Sequence, residues 1–217
     1  MTVYESSWPV GPNIVTARPE EVMAAMATLP DTLAWEALAA RVVPLFERVR
    51  PYPPGLPDPL KVVLPPGLRV GFGVDLGPAF VTVSQEMVAG WPVSAADVAA
   101  RALANLHSLA SVVRPDMVIL GPIGDLDTAW LQTELGIGSV LTLAPSELGR
   151  LFGEQPRCFI APMRDLLIGL PAGVDPYEAA WLYAEIASQD PNCLHPRLFS
   201  FDGQRVAGVE PLPIELG

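Results

Sequence analysis

Five charged side chains lie where a turn of the chain can present them to a ligand: Asp75, Asp125, Asp127, Arg164 and Asp165. The carboxylates of Asp125 and Asp127 can hold a hard cation such as Mg²⁺ or Ca²⁺, or they can shape a turn and cap a following helix. Arg164 and Asp165 adjoin in a predicted hairpin turn, where the pair either anchors a ligand carboxylate or fixes the turn. A ligand-binding cleft would require these groups to converge on one pocket with perturbed pKa values.

The cysteines and histidines are candidate metal ligands: Cys158, Cys193, His107 and His195. Structural zinc sites use two close ligand pairs, whereas here only Cys193 and His195 are close in sequence. Neither cysteine has a basic or helix N-terminal setting that would lower its thiol pKa. The sequence therefore predicts reduced thiols, no metal site, no cofactor and no cysteine–histidine dyad.

Two glycine-containing stretches resemble nucleotide or hydrolase motifs only superficially. The stretch from Gly136 to Val140 is not the G-x-S-x-G turn of serine hydrolases. The stretch from Gly71 to Gly77 falls inside a predicted strand and turn, not between a strand and a helix, so it is no phosphate loop. With no working catalytic constellation in view, the sequence favours a protein that is not an enzyme.

Composition excludes further function classes. The formal net charge is −11, Lys61 is the only lysine, and the arginines are scattered along the chain without a basic run. We therefore expect no binding to nucleic acid or to an anionic membrane. No signal peptide or membrane span is evident, which predicts a cytoplasmic protein. Half of the residues are hydrophobic and 17% are charged, which favours an exposed apolar patch and hence a protein partner or a homo-oligomer.

The elements that must position these residues divide the chain into three segments. Residues 1–50 are predicted to form a helical N-terminal segment, and residues 51–68 a proline-rich linker with a short edge strand over Lys61–Leu64. The third segment, residues 69–210, is predicted to be an α+β domain with a largely antiparallel sheet built from hairpin–helix units, which an internal duplication could have produced.

Within 69–210 the turn and cap residues predict a series of elements. Ser94 and Asp97 form a capping box, and the helix that they begin is expected to pack on most sides. On that helix Asn105 is predicted to be a buried amide with a structural, backbone-tying role. Three hairpins are predicted: one pairs 69–75 with 79–84, one pairs 158–162 with 166–170, and one pairs 197–201 with 206–209. Two further strands are predicted at 117–120 and 139–143. Helices are predicted at 127–135, at 145–152 and from residue 175.

Several pieces in one order resemble the YtpQ-like family of bacterial proteins, a domain of unknown function. They are Arg69 with Val74-Asp75-Leu76-Gly77, the stretch Ala102–Leu109, Gly124-Asp125-Leu126-Asp127-Thr128, the stretch Ala161–Ile168, and Leu198-Phe199-Ser200-Phe201-Asp202-Gly203. The resemblance covers about residues 49–211 and implies a bacterial cytosolic protein with a first hairpin, a central helix, an acidic turn followed by a helix, and two later hairpins. It departs from the family's polar pattern just upstream of Arg69, and it brings no known reaction.

Two functions remain open. The first is a non-catalytic module that binds another protein or itself. The alternative is a small-molecule-binding protein or an enzyme that uses carboxylates and Arg164 in a cleft. The position of the five charged groups and the extent of exposed apolar surface distinguish them.

Overall fold

The computed structural model describes residues 18–30, 33–50, 55–77, 79–133, 135–189 and 192–214. Within these ranges the chain is an α+β fold with two antiparallel sheets, which confirms the predicted fold class. The helices are α1 (Pro19–Met26), α2 (Trp35–Leu38), α3 (Gln85–Ala89), α4 (Ala95–Ser111), α5 (Pro145–Phe152) and α6 (Pro176–Ala187). The strands are β1 (Val42–Leu45), β2 (Lys61–Leu64), β3 (Leu68–Asp75), β4 (Phe80–Thr82), β5 (Ile119–Ile123), β6 (Leu126–Gln132), β7 (Arg157–Met163), β8 (Leu166–Pro171), β9 (Arg197–Phe201) and β10 (Val206–Pro211).

The first sheet is built around β3. Strand β1 pairs with one edge of β3, while β2 and β4 pair with successive parts of β3. The predicted hairpin of β3 and β4 and the predicted strand at Lys61–Leu64 are both present. Strands from residues before position 69 thus pair directly with β3, and the division of the chain into three segments stays a prediction.

The predicted helical N-terminal segment is helical only in part. Residues 1–17 of it, like residues 51–54 of the predicted linker, lie outside the described residues. Helices α1 and α2 are followed by strand β1, so the prediction is wrong over Val42–Leu45. The β-branched residues Val42 and Val43 favour a strand, and Pro44 is tolerated because β1 is an edge strand.

The second sheet has six strands in the order β10-β9-β7-β8-β6-β5 and a hydrophobic core on each face. In β8, Ile168 faces a core shared with α6, whereas Leu167 faces the core shared with α4, α5 and the first sheet. The predicted hairpins of β7 with β8 and of β9 with β10 are confirmed, as are α5 and the start of α6 after Asp175. No described helix is long and apolar enough to cross a membrane.

The prediction of a helix over 127–135 is wrong, because this segment contains β6, which forms a hairpin with β5. Gly124 begins the two-residue turn with φ +60°, the conformation that a type II′ hairpin turn requires at its first position. Ala129 and Leu131 face one core and Trp130 faces the other. Strand β6 is therefore buried on both faces and lacks the alternation that marks a strand in sequence. The helix implied by the family resemblance is wrong for the same reason.

Two short apolar runs also differ from prediction. The strand predicted as buried at 117–120 is β5, shifted toward Ile123, and it is an exposed edge of the six-stranded sheet. The strand predicted at 139–143 is a 3₁₀-helix, Ser139–Leu143, that is buried along most of its length. A short apolar run does not by itself distinguish a strand from a buried helical turn.

Helix α4 begins at the predicted capping box. The Ser94 hydroxyl accepts a hydrogen bond from the Asp97 N–H, and the Asp97 carboxylate accepts one from the Ser94 N–H. The expectation that α4 packs on most sides is wrong, because its fully buried residues, among them Ala102 and Leu106, lie on one face. Alanine and leucine on the opposite face are helix formers and do not require burial there.

Candidate functional site

The turn between β7 and β8 carries two of the predicted site residues, Arg164 and Asp165. The Asp165 carboxylate accepts hydrogen bonds from the Thr133 hydroxyl and from the backbone N–H groups of Gly136 and Gly138. The Asp165 backbone carbonyl also accepts a bond from the Thr133 N–H at 3.3 Å. The side chain is thus committed to holding the segment before the 3₁₀-helix against the turn.

Arg164 connects this turn to the first sheet. Its Nε donates to the Gly136 carbonyl at 3.2 Å, and its Cζ lies 3.1 Å from the centroid of the Phe80 ring in β4. Asp75, at the end of β3, acts on the guanidinium through its charge. A cation over an aromatic face is attracted by the ring quadrupole, and burial strengthens the attraction. We name this set the Arg164 cluster: Asp75, Phe80, Thr133, Gly136, Gly138, Arg164 and Asp165.

Burial perturbs both charges of the turn. Burial raises the pKa of Asp165 to about 6, although its hydrogen bonds and the Arg164 charge oppose the rise. Burial lowers the pKa of Arg164 to about 10, and the charges of Asp75 and Asp165 oppose that fall. Above pH 6 both groups are mainly ionised, so the cluster contains opposite charges that influence each other, and each has a hydrogen-bond partner within the chain.

The structure brings together three of the five predicted site residues and not the other two. Asp75, Arg164 and Asp165 belong to the Arg164 cluster, whereas Asp125 lies in the β5–β6 turn and Asp127 lies in β6 opposite Pro122. Both of these aspartates are exposed. Asp127 caps no helix, since its segment is a strand.

An open depression of about 450 Å³ lies beside Asp75. It is lined by Arg41, Asp75 and Asn105 among others, whereas Arg164 and Asp165 do not line it. The Asp75 carboxylate accepts the Gly77 N–H at 2.8 Å, and Arg41 donates to the Asp75 carbonyl at 2.7 Å. The Asn105 amide donates to the carbonyls of Ala39 and Val42, each at 2.8 Å. Much of the polar lining is therefore already hydrogen-bonded within the chain.

The candidate metal ligands are dispersed. Cys158 is buried in the core beside α6, and burial raises the pKa of its thiol. Cys193 is half-buried, and the two cysteines form no disulfide within the described part of the chain. His107 lies exposed on α4 and His195 lies exposed before β9. Among the described residues no group of three or more histidine, cysteine or acidic side chains is placed to hold a metal ion.

The composition favours an exposed apolar patch but does not locate it; the structure exposes four apolar side chains between the end of α4 and β5. We name this set the 112–120 surface, and its exposed members are Val112, Met117, Ile119 and Leu120. Leu120 is 75% exposed and Ile119 is 47% exposed, although the sequence predicted a buried strand here. The residue that could have indicated this exposure from the sequence is Pro122, because a proline inside a strand indicates an edge strand of the sheet.

Comparison with known proteins identifies no relative. No family model matches the chain, and neither the curated proteins nor the solved structures contain a match. The resemblance to the YtpQ-like family therefore stays a prediction.

Proposed function

We propose that this chain is a non-catalytic module that associates with a second copy of itself through the 112–120 surface. The observation that carries the proposal is Leu120, a large apolar side chain that is 75% exposed on the outer strand of a sheet. Val112, Met117 and Ile119 are exposed nearby in sequence. Ile119 and Leu120 are consecutive residues of β5, so exposed apolar side chains lie on both faces of this edge strand. Several exposed apolar side chains in one segment are more typical of an association surface than a single one is.

The backbone of β5 supports pairing between two copies. Ile123 and Leu126 flank the two-residue turn and form a hydrogen-bonded pair, so bonding alternates along the ladder. The N–H and C=O groups of Leu120 therefore point away from β6, toward the free edge. Two antiparallel copies of β5 related by a twofold axis would form reciprocal hydrogen bonds at Leu120 and bury its side chain.

The local charge of the 112–120 segment permits a second copy as the partner. At a net charge of −11, two copies of the chain repel each other over most orientations. The 112–120 segment contains one arginine and one aspartate, and Arg114 and Asp116 form an ion pair at 2.8 Å. The segment carries no net charge, so two such segments can approach without a local charge penalty.

The alternative, a small-molecule site or an enzyme that uses Arg164 and carboxylates in a cleft, has weaker support. Arg164 and Asp165 are occupied by contacts within the chain, and Asp125 and Asp127 lie elsewhere. Of the groups that would bind a ligand, Arg164 thus contacts the first sheet through Phe80, and Asp165 holds the segment before the 3₁₀-helix against the turn.

Sedimentation velocity over a wide range of protein concentration tests the proposal. We expect the wild-type chain to reach twice the monomer mass and Leu120→Asp to remain a monomer, because each dimer would bury two unpaired charges. Leu56→Asp is the matched control, since Leu56 is 56% exposed outside this surface, and it should dimerise like the wild type.

Circular dichroism establishes that both variants are folded. A wild-type chain that stays monomeric at every concentration would overturn the proposal. So would a folded Leu120→Asp variant that dimerises as well as the Leu56→Asp control.

A further inference from the structure

A second polar cluster lies at the start of β3, at the opposite end of that strand from Asp75. Residues 47–49 run antiparallel to residues 193–195: the His195 N–H donates to the Glu47 carbonyl at 3.0 Å, and the Val49 N–H donates to the Cys193 carbonyl at 2.9 Å. This pairing brings Glu47 beside the start of β9. We name the set the Lys61 cluster: Glu47, Lys61, Arg69, His195 and Arg197.

The Lys61 side chain reaches this cluster from β2, on the other side of β3 from β1. Gly71 lies between Leu45 of β1 and Lys61 of β2 in the sheet. The Lys61 side chain crosses β3 toward the β1 side, where its ammonium group lies 2.5 Å from Glu47 Oε1. Arg69 is the diagonal neighbour of Lys61 on the same face, within reach of long side chains.

The positive charges of this cluster outnumber the negative ones. Lys61, Arg69 and Arg197 are cationic, and Glu47 is the one carboxylate among the described residues whose charge acts on Arg197. Within the described part of the chain, neither Arg69 nor Arg197 has a carboxylate at ion-pair distance. The surplus is notable because the chain as a whole has a net charge of −11.

Partial burial of Arg197 makes its share of that surplus costly. Burial lowers the pKa of Arg197, and the nearby charge of Arg69 lowers it further, while Glu47 opposes both effects. Although burial alone would raise the pKa of Glu47, the hydrogen bond and charge of Lys61 lower it overall, with His195 and Arg197 adding to the effect. One carboxylate is thus shared among several cations, and an added anion would lower the electrostatic energy.

We propose that the Lys61 cluster is a binding site for a small oxyanion with two or more negative charges, carried by a phosphate or a carboxylate ligand. Two guanidinium groups supply planar pairs of N–H donors that match phosphate and carboxylate oxygens, and Lys61 adds a mobile point charge. Glu47 holds Lys61 at the site while it is empty and competes with the ligand for the same cations.

Isothermal titration of the full chain with inorganic phosphate, pyrophosphate and succinate tests the site at low ionic strength. We expect saturable binding of at least one probe. Arg69→Gln should weaken that binding by roughly tenfold, the usual effect of removing one charge-assisted hydrogen bond. Glu47→Gln should tighten binding by about fivefold, because it removes the internal competitor for the cations. Pyrophosphate preferred over succinate would indicate a phosphate ligand, and the reverse preference a carboxylate ligand.

Arg205→Gln is the matched control, since Arg205 is an exposed arginine paired with Asp202 in the β9–β10 turn. It changes the net charge by the same amount and should leave affinity within about twofold, because an exposed distant charge is screened. Absence of saturable binding with all three probes would overturn the proposal. Equal weakening in Arg69→Gln and Arg205→Gln would do so too, because it would indicate an effect of net charge alone.

Discussion

The Arg164 cluster and the Lys61 cluster lie at opposite ends of β3, and each joins the first sheet to the second. In the Arg164 cluster the guanidinium lies over Phe80 and two carboxylates act on it, while Asp165 accepts three hydrogen bonds. In the Lys61 cluster, three cations share one carboxylate. Buried charges whose partners all lie within the chain are already committed to the fold, whereas an unbalanced, partly exposed set can accept another charge. A position between the two sheets does not by itself show whether a cluster stabilises the fold or binds a ligand.

The largest loss of stability should come from adding a side chain in the space beside the Asp165 backbone. In Gly138→Ala the new Cβ would lie 2.4 Å from the Asp165 backbone oxygen and 2.9 Å from the Leu166 nitrogen. We expect a loss of about 3 kcal/mol in unfolding free energy, the upper range for overpacking, measured by urea denaturation. In the control Gly173→Ala, the added Cβ would have no atom within 4 Å. Equal stability of the two variants would contradict the tight fit of the turn.

The next largest effect is a dependence of the unfolding free energy on pH. The pKa of Asp165 is raised from 3.8 to about 6, so between these values the folded state binds the proton more tightly than the unfolded state does. Stability from this group is therefore greatest below pH 4 and is lost as the pH rises through 6, by about 2 kcal/mol between pH 4 and pH 6.5. Asp165→Asn should lose this dependence in denaturation curves at pH 4 and pH 6.5. An unchanged slope in the variant would assign the dependence to other groups.

A smaller effect tests the contact between Arg164 and Phe80. Phe80→Leu keeps an apolar side chain but removes the aromatic face, and we expect a loss of about 1 kcal/mol in unfolding free energy. Phe80→Tyr keeps the ring and should recover most of that loss. Thermal unfolding of the three proteins in one buffer measures the series. If Phe80→Tyr is no more stable than Phe80→Leu, the ring face contributes nothing to the junction.

The smallest effect on stability is expected at the Lys61 cluster. Glu47 and Lys61 are partly exposed, with side-chain accessibilities of 22% and 38%. Ion pairs of this kind contribute under about 1 kcal/mol, so Glu47→Gln should change the unfolding free energy by about 0.5 kcal/mol or less. Urea denaturation without added anions measures this change. A loss as large as that of Gly138→Ala would make the Lys61 cluster a structural junction like its counterpart.

The sequence predicted best where local chemistry determines the structure. Ser94 with Asp97 marked the start of α4, and Asp202 before Gly203 marked the last hairpin, where Gly203 has φ +101°. Prediction was wrong for β6, because a strand buried on both faces has no alternating pattern, and its identity depends on pairing with β8.

The sites were predictable only in part, for a related reason. Arg164 and Asp165 could be chosen because they adjoin at a turn. The Lys61 cluster gave no comparable signal, since its arginines are scattered in sequence and the pairing of residues 47–49 with residues 193–195 assembles it. These residues come together only through backbone pairing between distant parts of the chain, and their spacing in the sequence does not predict that pairing.

The buried position of Cys158 gives the molecule a built-in reporter of its own opening. A thiol reacts as the thiolate, and burial raises the pKa of Cys158 in the core beside α6. A thiol reagent will therefore modify Cys158 only during excursions that separate α6 from the six-stranded sheet. In a Cys193→Ser background, the labelling rate relative to that of the unfolded chain measures the free energy of this local opening. The same cysteine can then show whether dimerisation or anion binding stabilises a distant layer of the fold.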